Sequence, residues 1–135
     1  MMLLNKETIE KINLFENITK TKVKDFIDKE EKLVVIIEQG GLHKILMNNG
    51  KSIKTLKNML HKRLKIVEFN QDPLKFVKKF IYPIKAININ LNNNIIEIKV
   101  EDRKSKGLLI GRESKNLNEL NDLVKSYYNL TVKVL

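Results

Sequence analysis

The chain has 135 residues, 42% of them hydrophobic, which suits one ordinary domain or two very small ones, and its formal net charge is +10 at pH 7. The absence of cysteine excludes disulfides, thiolate metal sites and cysteine nucleophiles, and two histidines, His43 and His61, are too few for a histidine metal cluster, so we expect no cofactor. No segment approaches the roughly 18 apolar residues of a membrane helix, so we expect a cytoplasmic protein with no membrane partner.

The first half of the sequence alternates helical and strand patterns. Asn5 is placed to cap a helix whose apolar residues recur at helical spacing. Gln39-Gly40-Gly41 ends a run of β-branched residues, and Asn48-Asn49-Gly50 interrupts two helical patterns. The predicted elements are a helix after Asn5, strands over 22–27 and 33–37, a short helix over 42–47, a longer helix over 52–62 and a strand over 64–69.

The second half repeats this order. Asp72-Pro73 is a strong helix start, because Asp caps a helix and Pro suits its first position. Residues 92–94, all asparagine, predict the tip of a hairpin. The predicted elements are a helix from Pro73, strands over 84–90 and 95–100, a short helix over 106–110, a break over 111–114, a longer helix containing Leu117, Leu120 and Leu123, and a strand over 130–135.

The two halves match each other with an offset of about 64 residues. Met47 then aligns with Gly111, and Leu56 aligns with Leu120. The repeat predicts an α+β fold of two similar units, over residues 1–70 and 71–135, each a three-stranded sheet with helices packed on one face.

The segment from Lys106 to Leu117, KGLLIGRESKNL, resembles the KH signature, in which an Ile-Gly-x-x-Gly loop is followed by a helix. The segments over 12–19 and 65–73 also resemble the archaeal NusA-like transcription termination and antitermination factors. The resemblance covers nearly the whole chain. It implies two tandem prokaryotic-type (type II) KH domains, residues 1–70 with a degenerate loop and residues 71–135.

The same resemblance implies a function. We expect a protein that binds single-stranded RNA and regulates transcription elongation or termination through the nascent transcript. It would be no enzyme, would have no small-molecule substrate, and would have RNA polymerase as a second candidate partner.

The two tight loops are the predicted RNA site. A loop that opens a helix leaves the first N–H groups of that helix without backbone partners, and these donors attract phosphate together with the positive helix end. The bases of about four nucleotides would lie in the adjoining apolar groove. The candidate RNA-binding residues are Gly111, Arg112, Glu113, Ser114 and Lys115 in the second half, and Asn48, Asn49, Gly50, Lys51 and Lys54 in the first.

Both loops depart from the family pattern. Ser114 replaces the closing glycine, and we expect its hydroxyl to cap the following helix by accepting one N–H bond. Glu113 adds a negative charge beside the proposed phosphate site. Met47 replaces the opening glycine of the first loop and would obstruct the approach of a phosphate.

The positive charge is concentrated around the first loop. Residues 41–69 contain 7 basic residues against Glu68 alone, whereas residues 1–40 contain 7 basic and 8 acidic residues. Lys51, Lys54 and Lys57 recur every three residues and could contact phosphates, although such a row is also typical of a solvated helix face.

Two other functions fit parts of the sequence. Residues 44–62 resemble a DNA-binding helix-turn-helix, but the predicted flanking strands are unusual for that motif. Alternatively, the two altered loops would suit a degenerate KH pair that acts mainly as a protein-docking module on RNA polymerase or the ribosome.

Overall fold

The computed structural model describes residues 5–135, apart from the side chains of Asn48 and Asn49. The chain divides into two compact units, one ending at Asn70 and the other beginning at Gln71. Each unit contains one three-stranded sheet and its own helices, so the predicted α+β class is confirmed.

The first unit has a sheet in the order β1-β2-β3, with β2 in the centre. β1 and β2 are antiparallel, whereas β2 and β3 are parallel and are joined by a crossover through two helices. The elements are α1 (Lys6–Thr19), β1 (Val23–Asp28), β2 (Lys32–Ile37), α2 (Leu42–Leu46), a 3-10 turn (Met47–Gly50), α3 (Lys51–Leu60) and β3 (Arg63–Glu68).

The core of the first unit is built on alternate residues of β2. Successive side chains of a strand point to opposite faces, so Leu33, Val35 and Ile37 lie on one face, and all three are buried. Each helix contributes one fully buried side chain to the same cluster: Phe15 from α1, Ile45 from α2 and Leu56 from α3. The three helices therefore cover one face of the sheet and hold both ends of the first loop.

The second unit repeats this topology. Its sheet has the order β4-β5-β6, with an antiparallel β4–β5 pair and a parallel β5–β6 pair. Ile96 and Ile98 are the fully buried residues of β5, and α6 packs against α5, α4 and β6. The elements are α4 (Pro73–Ile81), β4 (Asn88–Asn92), β5 (Ile95–Lys99), α5 (Arg103–Ile110), a 3-10 turn (Arg112–Ser114), α6 (Lys115–Tyr128) and β6 (Thr131–Val134).

Two element starts in the second unit differ from the prediction. α5 begins at Arg103 and not at Lys106, because the Asp102 carboxylate caps it by accepting the N–H of Ser105 at 2.6 Å. β4 begins at Asn88 and not at Ile84, because the N–H of Ile84 turns back to the carbonyl of Ile81 at 2.9 Å. Residues 82–87 therefore form an irregular connection.

Asp28 pairs with two lysines of the first unit, one within α1 and one in the connection between α3 and β3. Its carboxylate oxygens lie 2.5 Å from Nζ of Lys11 and 2.5 Å from Nζ of Lys62. Burial raises the pKa of Asp28, but the hydrogen bonds and charges of Lys11 and Lys62 outweigh burial, so the net shift of the pKa is downward. A carboxyl with a depressed folded-state pKa stabilises the fold above its unfolded pKa of about 4, and this contribution disappears as the pH falls through the folded-state pKa.

We therefore expect Asp28→Asn to lower the free energy of unfolding at pH 7 by about 1 kcal/mol, the scale of partly exposed ion pairs. The difference between variant and parent should begin to shrink below about pH 4 and should disappear once the pH is below the lowered folded-state pKa of Asp28. Urea unfolding followed by circular dichroism at pH 7 and pH 3 measures both values. Glu10→Gln, at an exposed carboxylate of α1, is the control, and an equal Asp28 effect at both pH values would contradict the expectation.

Candidate nucleic-acid interface

The second loop reverses the chain between α5 and α6 within a few residues. Gly111 has φ 76° and ψ 168°, a combination that only glycine adopts readily. Glu113 and Ser114 follow with left-handed backbones, at φ 55° and φ 61°. Arg112, Glu113 and Lys115 are exposed at this turn, so the structure brings the five predicted residues of the second loop together at one exposed turn.

Asn116 holds the two sides of this loop together, a role that the sequence alone does not predict. Its side-chain Nδ2 donates to the carbonyl of Leu108 at 2.9 Å, which ties the start of α6 to the end of α5. A Cβ at Gly111 would lie 2.7 Å from Cγ of Asn116, too close for any side chain. Gly111 is therefore required by the packing of the loop itself, whatever the loop binds.

The predicted capping role of Ser114 is wrong. Ser114 occupies the cap position of α6, but its side chain accepts no N–H bond from the helix. A capping side chain normally needs an extended backbone, whereas Ser114 is left-handed at φ 61° and ψ 21°. The first turn of α6 also contains no acidic residue, so the start of this helix is left without a side-chain acceptor.

The first loop has the same closing geometry and a different opening. Gly50 has φ 72° and ψ 22°, close to the backbone of Ser114, and α3 likewise begins without a side-chain cap. Met47 has φ −61° and ψ 155°, an ordinary conformation for any residue, and is 57% exposed. The side chains of Asn48 and Asn49, both predicted to contact RNA, lie outside the described part of the structure.

The lysine row of α3 comprises Lys51, Lys54 and Lys57, which are all exposed. Lys51 and Lys57 are separated by about 9 Å along the helix axis. None of the three forms an ion pair with a carboxylate of residues 5–135. Lys62, by contrast, is paired with Asp28 beyond the opposite end of α3, so it adds little positive charge to the loop.

The longer α5 adds positive charge to the second unit, mostly at the end of the helix away from the second loop. Arg103, Lys104 and Lys106 are exposed on this helix, although the sequence pattern predicts only Lys106 within it. Leu108 is 55% exposed on the last turns of the same helix, while Ile110 and Leu117 on either side of the loop are half-buried. The apolar groups beside the loop thus adjoin the basic Arg112 and Lys115 of the loop itself.

The described part of the chain contains neither a cluster of metal-ligand side chains nor a membrane-spanning helix. Within residues 5–135, no three histidine or acidic side chains converge as metal ligands would. Over the same residues, no helix is long and apolar enough to span a bilayer.

Comparison with known proteins identifies a group of relatives. No protein-family model matches the chain. A protein of Thermoplasma acidophilum named probable transcription termination protein NusA is 27% identical over 130 residues, which cover 94% of this chain and 90% of that protein. A protein of the same name from Methanococcus vannielii is 26% identical over 124 residues, covering 89% of this chain and 71% of that protein.

This chain is similar to archaeal NusA proteins. The resemblance predicted from the sequence is thereby confirmed at low identity. The protein in the crystal structure of APE1850 is 24% identical in sequence to this chain, and the two structures superimpose with a TM-score of 0.68. The match covers 98% of this chain and 100% of that protein's chain, so the two proteins share a fold.

Proposed function

We propose that this chain is a NusA-like factor that binds single-stranded RNA through two type II KH domains, residues 1–70 and 71–135, and regulates transcription elongation or termination through the nascent RNA. The names of the archaeal relatives support the role in transcription termination. RNA polymerase is proposed as a second partner of such a factor. The order helix, strand, strand, short helix, loop, helix, strand in both units supports the KH assignment, because it is the arrangement of the bacterial-type KH domain.

The observation that carries the RNA-binding proposal is the open start of α6 behind the second loop. No side chain caps this helix, and no acidic residue lies in its first turn. The N–H of Lys115 already donates to the carbonyl of Arg112, so the N–H groups that follow it in the first turn are the ones suited to donate to a phosphate. Arg112 and Lys115 flank this point and form no ion pair within residues 5–135, which leaves both cations available for phosphate oxygens.

The bases would then lie on the apolar side of the loop. A phosphate held at the start of α6 would place the adjoining nucleotides beside Leu108, Ile110 and Leu117. The faces of the bases would contact these apolar side chains, and the edges of the bases would remain available for hydrogen bonds. The first loop would contribute differently, because Met47 is bulky and exposed where the second loop has glycine. At the first loop, the lysine row of α3 would mainly attract the RNA backbone at long range and would make fewer close contacts with its phosphates. The proposal includes no catalytic step.

We expect the chain to bind a single-stranded RNA of about 20 nucleotides more tightly than duplex DNA of the same length, because only unpaired bases can enter an apolar groove. Affinity should fall with salt, with a log–log slope of about −0.7 for each phosphate that is neutralised. Fluorescence anisotropy with labelled RNA and DNA at two salt concentrations measures this. Equal or tighter binding to duplex DNA would overturn the proposal, and binding to RNA polymerase without RNA binding would favour the protein-docking function.

A further inference from the structure

The second unit has a groove that is separate from both loops. It encloses about 630 Å³ between the exposed side of α4 and the connection that leads into β4, and none of the predicted RNA-binding residues lines it. We call it the α4 groove. Its accessible lining includes Lys75, Lys78, Tyr82, Lys85, Ile87 and Asn88.

An aromatic ring is exposed in the groove because only one side of α4 packs against the core. Phe76, Val77 and Phe80 face the core, so Lys75 and Lys78 share the opposite, solvent side of the helix, which continues to Tyr82 just beyond its end. Tyr82 is 71% exposed. The other two tyrosines, Tyr127 and Tyr128, are half-buried with ring centroids 5.6 and 6.0 Å from that of Phe76. Tyr82 is thus the tyrosine with a face available to a ligand.

The charge of the groove is of one sign. Three lysines line it, whereas no aspartate or glutamate does. Within the part of the chain that the structure describes, Lys75, Lys78 and Lys85 form no ion pair. Clustered cations in a concave surface raise the local concentration of anions, so the complementary ligand is negatively charged.

Proteins that bind single-stranded nucleic acid commonly combine an exposed aromatic ring with nearby unpaired cations. A base stacks on the aromatic face while the flanking phosphates meet the cations, and such stacking is largely independent of base identity. Ile87 is 59% exposed and extends the apolar surface beside the ring, and the amide of Asn88 can donate to or accept from a base edge. Duplex nucleic acid cannot use this surface in the same way because its base faces are already stacked.

We propose that the α4 groove is a second contact surface for single-stranded RNA, with Tyr82 stacking on an unpaired base and Lys75, Lys78 and Lys85 contacting the adjacent phosphates. The inference rests on the proposed function, since it assumes that the chain binds RNA. It adds a surface outside the loops and gives the second unit two points of attachment for one strand.

Two substitutions at Tyr82 test the stacking contact. Tyr82→Ala is expected to weaken binding of a single-stranded RNA of about 20 nucleotides roughly tenfold, the scale of one lost base–aromatic stack. Tyr82→Phe keeps the ring and should bind as the parent does. Both variants change an exposed side chain, and circular dichroism confirms that they remain folded.

A charge variant tests the phosphate contacts. Replacing Lys75, Lys78 and Lys85 by glutamine should make the slope of log affinity against log salt less negative by about 2. Each of the three lost phosphate contacts accounts for about 0.7 of this change. The control replaces three lysines outside the groove, Lys6, Lys125 and Lys133, by glutamine and removes the same net charge. An equal change of slope in the control and groove variants would overturn the inference.

The outcomes separate this inference from the proposed function. If the parent binds no RNA, the proposed function fails and the inference fails with it. If the parent and all groove variants bind RNA equally while loop variants bind weakly, the groove is not an RNA surface and the proposed function stands. If groove variants keep RNA affinity but lose binding to purified RNA polymerase, the groove docks protein and the inference is overturned.

Discussion

Replacing both Arg112 and Glu113 by aspartate is expected to weaken single-stranded RNA binding at least tenfold without unfolding the chain. The change removes a guanidinium that can contact phosphate and puts a carboxylate beside the open start of α6, where phosphate should bind. A hydrogen bond to a charged group contributes about 1.5–3 kcal/mol, which corresponds to roughly 10- to 100-fold in affinity. Stability should change by only about 0.5 kcal/mol, because both side chains are exposed and aspartate tolerates the left-handed backbone of Glu113.

The matched control is Asn48→Asp combined with Asn49→Asp, which makes the chain more negative by the same amount at the first loop. We expect a smaller loss of affinity there, because Met47 already obstructs close contact. Lys51→Gln, Lys54→Gln and Lys57→Gln together should make the log–log salt slope less negative by about 2. Anisotropy titrations at two salt concentrations compare the three variants. If all three fold and bind RNA as the parent does, the loops are not the RNA site, and the docking function takes precedence.

Gly111→Ala is expected to lower the free energy of unfolding by about 2–4 kcal/mol, whereas Gly50→Ala should lower it by only about 1 kcal/mol. Both glycines have positive φ, but an added Cβ at Gly50 would meet no atom within 4 Å. At Gly111 the same atom would lie 2.7 Å from Cγ of Asn116. Alanine would be strained at both positions, more so at Gly111 because its φ and ψ suit only glycine, and the collision occurs at Gly111 alone of the two.

Asn116→Ala provides the check on this explanation. Alone, it should cost about 1 kcal/mol, because the hydrogen bond to Leu108 is lost at an exposed site. Combined with Gly111→Ala, it removes the two closest contacts and leaves only the Cβ of residue 116, at 3.0 Å. The double variant should therefore be more stable than the sum of the single losses predicts. Urea unfolding of the four proteins gives the coupling energy. Equal losses at Gly111 and Gly50, or strict additivity with Asn116, would refute the packing role.

The order of helices and strands could be predicted from the sequence because most of the elements bury apolar residues of a recognisable pattern. β2 is the clearest case, since five consecutive apolar residues from Leu33 to Ile37 are all buried. The start of α5 was missed although its signal was present, because Asp102 precedes Ser105 at capping spacing. The position of the second loop was predicted correctly, because glycine and serine interrupt two helical patterns there.

The internal chemistry of the loop and the α4 groove could not be predicted in this way. The capping role expected of Ser114 depends on its backbone conformation, which the neighbouring Gly111 and Glu113 determine. The contact between Asn116 and Leu108 joins two elements, and no local pattern specifies it. The α4 groove likewise forms between α4 and residues 82–87, which are distinct segments of the chain. Its helical wall is the polar side of α4, and the apolar pattern of that helix does not indicate what this side contacts.

The parallel strand pairs have a consequence for the order in which each unit folds. The β4–β5 hairpin is local and can form early, whereas β6 pairs with β5 only after the whole segment containing α5, the second loop and α6 has crossed over the sheet. α6 packs on both α5 and β6, so the loop between the two helices is part of the same crossover that brings β6 to β5. A ligand that holds the loop in its folded shape stabilises the completed unit over partly opened forms. RNA bound at the second loop should thus slow amide hydrogen exchange in β6, a strand that lies outside the candidate site.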